Sequence, residues 1–156
     1  MVEAALWNVN YHRFKIDELL AGRGMTTLWH DDPSLDDKAK FHLQGEVSRF
    51  HAHLRAFFWE LVAAFESMRI WAKEYGAASK QVQEIKAAAN SDWYAEISEY
   101  RNFAHRSFLV AQGIFGTQDR QSKFLYLIAP KDPPRELKEH LDYYQKHMRD
   151  LFDTLK

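Results

Sequence analysis

Between Gly45 and Gly76 the chain carries neither glycine nor proline, and its apolar residues recur in alternating steps of three and four. They are Val47, Phe50, Leu54, Phe57, Phe58, Leu61, Phe65, Met68, Ala72 and Tyr75. That spacing lines up along one side of an α-helix, whereas a strand alternates its faces every second residue. Sustained from Phe41 to Tyr75, the stripe predicts one helix of about nine turns. Gly76 is placed to cap its C-terminus.

The rest of the chain offers partners for that stripe. "YHRFKIDELLAG" predicts a short helix closed by Gly22. In "DDPSLDDKAK", Ser34 or Asp32 is placed to cap the long helix, with Asp36 and Asp37 near its positive end. "SKQVQEIKAAAN" reads as an alanine-rich helix ended by Asn90, and "SDWYAEISEYRNFAH" as a second one from Ser91, with Trp93, Ile97, Tyr100 and Ala104 as its buried stripe. The two are either separate or one kinked helix. The pattern then changes: residues 107–115 and 123–129 are β-prone runs joined by a polar, Gly-containing loop. They form a small β-hairpin near 107–129 unless "FLVAQGIF" prolongs the helix. Asp132-Pro133 is expected to start the last helix, with Leu137, Leu141, Tyr144, Met148, Leu151 and Leu155 as its apolar face. The expected fold is all-α: an antiparallel helical bundle of three to four main helices, in a single domain over 1–156.

Composition agrees. At 156 residues, 46% apolar and 15% aromatic, the chain can bury roughly two-thirds of its unfolded surface. It has no cysteine, which excludes disulfides, thiolate zinc sites and a cysteine nucleophile. The start "MVEAALWNVNYHRF" lacks the basic region of a secretion signal, and "FFWELVAAF" is broken by Glu60 well short of the ~20 residues of a membrane span. A soluble, cytoplasmic protein with no membrane partner is expected. The net charge of −1 gives the whole molecule no pull towards nucleic acid. The charge is uneven, however: residues 1–100 hold 11 Lys/Arg against 15 Asp/Glu, and residues 101–135 hold six against two. The basic third either solvates a surface or gathers at an anion site.

Most common chemistries find no support. His51 and His53 lie about 200° apart on a helix, and His140 and His147 share a face without a Glu-x-x-His partner, so no metal is expected. There is no Gly-x-Ser-x-Gly elbow and no glycine-rich phosphate loop. No cofactor is expected either. Glu60 is an oddity between Trp59 and Leu61 in the long stripe, either a rim carboxylate or a partner for a cation such as Arg101. Arg101 and His105, four residues apart, project from one helix face about 6 Å apart at Cβ. The guanidinium can grip two phosphate oxygens and keeps its proton. The imidazole can exchange a proton near neutrality. Asn102 could orient either group and Arg106 could hold a neighbouring phosphate. The pair suits RNA cleavage, in which a base takes the 2′-hydroxyl proton and a cation stabilises the phosphorane. A salt bridge across the bundle is the structural alternative.

"YRNFAHR", late in a helical chain and ahead of a terminal helix, resembles the Arg-(Asn/Asp/His)-x-x-His signature of HEPN domains, with an Arg–His spacing one residue shorter than usual. The resemblance implies a small all-α protein of a superfamily rich in metal-independent endoribonucleases of toxin–antitoxin and antiphage systems. It places the family's arginine on Arg101, its polar residue on Asn102 and its histidine on His105. It also implies a homodimer whose two motifs line one cleft, with single-stranded RNA and an antitoxin-like protein as partners. The competing expectation is a non-catalytic, protein-binding helical module in which Arg101 and His105 are structural.

Overall fold

The computed structural model describes residues 2–21, 36–104, 110–113, 124–127 and 135–156. These form an all-α framework of five helices with three short strands. Helix α1 spans Val2–Ala21, α2 Asp37–Glu74, α3 Ser79–Ala89, α4 Asp92–Ala104 and α5 Leu137–Thr154. Strand β1 (Val110–Gly113) pairs antiparallel with β2 (Phe124–Leu127), Val110 opposite Leu127 and Gly113 opposite Phe124. β2 in turn pairs with the two-residue β3, Arg135–Glu136. Residues 114–123, between β1 and β2, lie outside the described residues, as do Asp32, Ser34 and Gly22.

Helix α2 is the single long helix that its stripe predicts. It is capped by Asp36, whose side chain accepts a hydrogen bond from the Ala39 amide at 2.7 Å. At the other end Gly76 adopts φ +64°, and the Ala77 amide reaches back to the Ala72 carbonyl at 3.2 Å. That is the bonding of a glycine-closed helix end. Phe50, Leu54, Phe57, Phe58, Leu61, Phe65 and Met68 are all fully buried. Among the described side chains of α2, Phe50 is the first buried one, although the helix begins thirteen residues earlier at Asp37.

Two boundaries differ from the sequence reading, those of α1 and α5, and the choice between two helices and one kinked helix around Asn90 is decided. α1 runs from Val2 through Ala21 and so is longer than "YHRFKIDELLAG", because Ala5 and Val9 also bury against the core. α3 and α4 are separate helices: Asn90 ends the first, and the Ser91 hydroxyl donates to the Ala88 carbonyl at 2.6 Å while accepting from the Tyr94 amide. α5 begins at Leu137 rather than at Asp132-Pro133, because Arg135 and Glu136 join the small sheet and the Glu136 side chain then caps the helix. Its whole expected face, Leu137 to Leu155, is buried.

The neighbours of α2 are arranged by direction. Asn8 meets Glu60 and His12 meets His53, so α1 runs antiparallel to α2. Tyr94 meets Phe65 and Tyr100 meets Phe58, so α4 does the same. Tyr144 of α5 closes the centre, its ring 6.0 Å from both Phe58 and Tyr100 and its hydroxyl donating to Glu96 at 2.8 Å. Among the described residues no helix is long and apolar enough to cross a membrane.

Candidate functional site

Three of the five residues singled out in the sequence fall within the described residues. Arg101 and Asn102 sit in the last turn of α4, where a cation also faces the negative end of the helix dipole. His105 and Arg106 lie outside the described residues. Glu60 is on α2.

Among the described residues the Arg101 guanidinium has two neighbours, Asn102 and Trp59. Its Nη2 and Nε donate to Asn102 Oδ1 at 3.1 and 3.4 Å. Its carbon lies 5.5 Å from the centre of the Trp59 ring, which remains 45% exposed. A ring under one face of a guanidinium attracts it and strips water from that side. Among the described residues, Asn102 alone accepts from this guanidinium, through Nε and Nη2.

The two carboxylates of α2 nearest in sequence to Trp59 are both engaged elsewhere. Glu60 turns to α1, where Asn8 Nδ2 donates to it at 3.2 Å. Glu66 faces α4 but takes Arg69 Nη1 at 2.9 Å and the Tyr94 hydroxyl at 3.4 Å. Burial, and then the Glu66 charge, hold the Tyr94 hydroxyl above its ordinary pKa, so it stays a donor to that carboxylate. Among the described residues no carboxylate comes within ion-pair distance of Arg101. The structure therefore brings together Arg101, Asn102 and Trp59, and leaves Glu60 out of the cluster.

Trp59 is the residue that sequence reasoning missed. It follows the buried pair Phe57–Phe58, which made it look like part of the same core. A step of one residue turns a helix by about 100°, and that places Trp59 on the flank of the stripe. The off-stripe register was the available signal.

A second polar group lies between α1 and α2. His12 Nδ1 and His53 Nδ1 are 3.0 Å apart, so one ring donates and the other, which accepts, is neutral. Burial lowers both pKa values below the ordinary 6.5; for His53 the neighbouring His12 adds to the effect. Deeper in the same seam, Arg13 is 8% exposed and joins Asp17 at 3.2 Å and Asp142 of α5 at 2.9 Å. Among the described residues no three His, Asp or Glu side chains converge as a metal ion would need.

Compared with known proteins, the chain matches no protein-family profile, no curated protein and no solved structure.

Proposed function

We propose that the helices form an antiparallel bundle of the HEPN kind, and that the chain binds single-stranded RNA and cleaves it without a metal ion. In this reading it works as a homodimer in the cytoplasm, within a toxin–antitoxin or antiphage system, with an antitoxin-like protein as partner. One observation carries the reading. The Arg101 guanidinium is braced by Asn102 and Trp59 while Glu60 and Glu66 are turned to other partners. A guanidinium held in place, with no paired carboxylate among the described residues, suits an incoming phosphate. His105, one turn further along the sequence, takes the 2′-hydroxyl proton as the 2′-oxygen attacks phosphorus, and Arg101 stabilises the added charge on the phosphorane. Arg106 holds an adjacent phosphate.

The test is cleavage of single-stranded RNA by the purified chain in EDTA. Activity should persist in the chelator and vanish in His105→Ala with helicity unchanged. Equal activity in that variant would remove the reading.

A second reading is favoured by Trp7 and Phe14. They are 65% and 61% exposed on the outward side of α1, as on a non-catalytic module that docks another protein. It predicts that His105→Ala lowers the melting temperature and abolishes no chemistry.

A further inference from the structure

Where α2 closes, a cavity of about 460 Å³ opens between the first turn of α1, the last two turns of α2 and the end of α5. Its floor is Met68 and Leu155, both buried in the core. Trp71, Tyr75 and Phe152 line its sides, and Glu3 and Glu74 come to it from α1 and α2. The volume falls within the span of small-ligand sites, about 300–1,000 Å³. Trp71 follows Trp59 by twelve residues, about 18 Å along α2 at ~1.5 Å per residue. The cavity is therefore separate from the Arg101 cluster.

The charges around it set it apart from a plain apolar cleft. Glu74 is the last residue of α2, where a carboxylate faces the negative end of the helix dipole. Among the described residues neither Glu74 nor Glu3 has an ion pair. Lys156 is the one cation that lines the cavity among the described residues, and it is committed elsewhere. Its ammonium lies 3.1 Å from Asp153 and 4.5 Å from the centre of the Phe152 ring. That contact shows how this end of the protein holds a cation, with a ring against one side and a carboxylate on the hydrogens. The same two kinds of group recur at the cavity: Trp71 and Tyr75 supply rings, Glu3 and Glu74 carboxylates. No cation among the described residues lies over either ring.

We propose that the cavity binds a small organic cation, a protonated or quaternary amine carried on an apolar body. The body displaces water from Met68 and Leu155. The ammonium group lies against the rings, within reach of Glu3 and Glu74. Charge decides against the other small occupants. An anion is repelled by both carboxylates and by the C-terminal ends of α2 and α5. A neutral molecule takes water from the carboxylates without offering them a partner. A bare metal ion wants oxygen ligands where the cavity presents rings. The N-terminal end of α1 works the other way, but Glu3 in its first turn already offsets it.

An NMR titration of the isotope-labelled full chain with benzyltrimethylammonium, from about 0.05 to about 20 mM at constant ionic strength, tests it. For a ligand of this size the dissociation constant should be on the order of 1 mM. The Trp71 indole N–H signal, assigned by its loss in Trp71→Phe, should shift while that of Trp59 stays in place. Phenylmethanesulfonate, an anion of similar shape, should bind about tenfold more weakly or not at all. Glu74→Lys suits the helix dipole, so the melting temperature should hold or rise while affinity for the cation drops about tenfold. Tyr75→Ala, at a residue 72% exposed, should weaken binding several-fold. A Trp71 signal that stays put to the highest concentration overturns the proposal. So does equal binding of the anion, or an affinity indifferent to Glu74→Lys. Either result leaves the RNA reading standing, since the titration involves neither Arg101 nor His105.

Discussion

The two sides of α2 are held by different chemistry. Towards α4 and α5 it presents Phe58 and Phe65, which meet Tyr100, Tyr144, Trp93 and Tyr94 ring against ring. Towards α1 it presents His53 and Glu60, which meet His12 and Asn8. The aromatic side gains from buried area and from edge and stacked ring contacts. The polar pairs on the α1 side add little net energy, because each of their hydrogen bonds replaces one to water, whereas Val9 and Ile16 of α1 bury fully beside them. What they supply is register, since a polar pair fits only one alignment of the helices. The polar pairs thus align α1, while Val9 and Ile16 hold it by burying in the same core as the α2–α4–α5 rings.

Four measurements would sharpen or break that contrast. Phe58→Ala removes a fully buried ring and should lower unfolding free energy by about 4 kcal/mol in a urea titration. Arg13→Ala should cost less, about 2 kcal/mol, because Asp142 keeps access to water while the buried arginine stem leaves a gap. Arg13→Met, which fills the space, should cost less again. If Arg13→Ala equalled Phe58→Ala, the polar contacts of α1 would not be weaker than the ring contacts. Tyr144→Phe keeps the ring and deletes the hydroxyl bonded to Glu96, and about 1 kcal/mol is expected. A much larger loss would mean that the centre also depends on polar alignment.

The smallest effect concerns pH. His12, His51 and His53 all have pKa values lowered chiefly by burial. The unfolded chain therefore takes up protons at a higher pH than the folded one. Their contribution is fully present above the ordinary value of 6.5 and is lost as pH falls through their lowered folded-state values. Titrations at about pH 7.5 and about pH 5.5 should show the decline. The double variant His12→Gln/His53→Gln should show less of it; an unchanged slope would remove the pair from the account.

The aromatic side was legible in the sequence and the polar side was not. The stripe of α2 and the face of α5 repeat at the helical period, so burial leaves a mark along one chain segment. Asn90 and Ser91 signal a break by their side-chain chemistry. By contrast, Asn8–Glu60 and His12–His53 pair residues on two helices, and neither partner's spacing announces the other. Asp36 caps α2 in place of Asp32 or Ser34, a choice among neighbouring acceptors that composition leaves open. At the site, Arg101 and Asn102 were readable because they interrupt an aromatic run. Trp59 was not, because it stands beside two true core residues. The diversion of Glu60 and Glu66 from Arg101 depends on α1, Arg69 and Tyr94 and has no sequence signature.

The stretch of α2 ahead of Phe50 has a mechanical consequence. From Asp37 to Gly45 no described side chain is buried, and Phe41 is 78% exposed. Unwinding from that tip separates none of the ring contacts among the described residues, so its amide protons should trade for deuterium long before those between Phe50 and Met68. The longest element of the protein would then be a spar anchored at one end, stiff where the rings grip it and free to breathe at its tip.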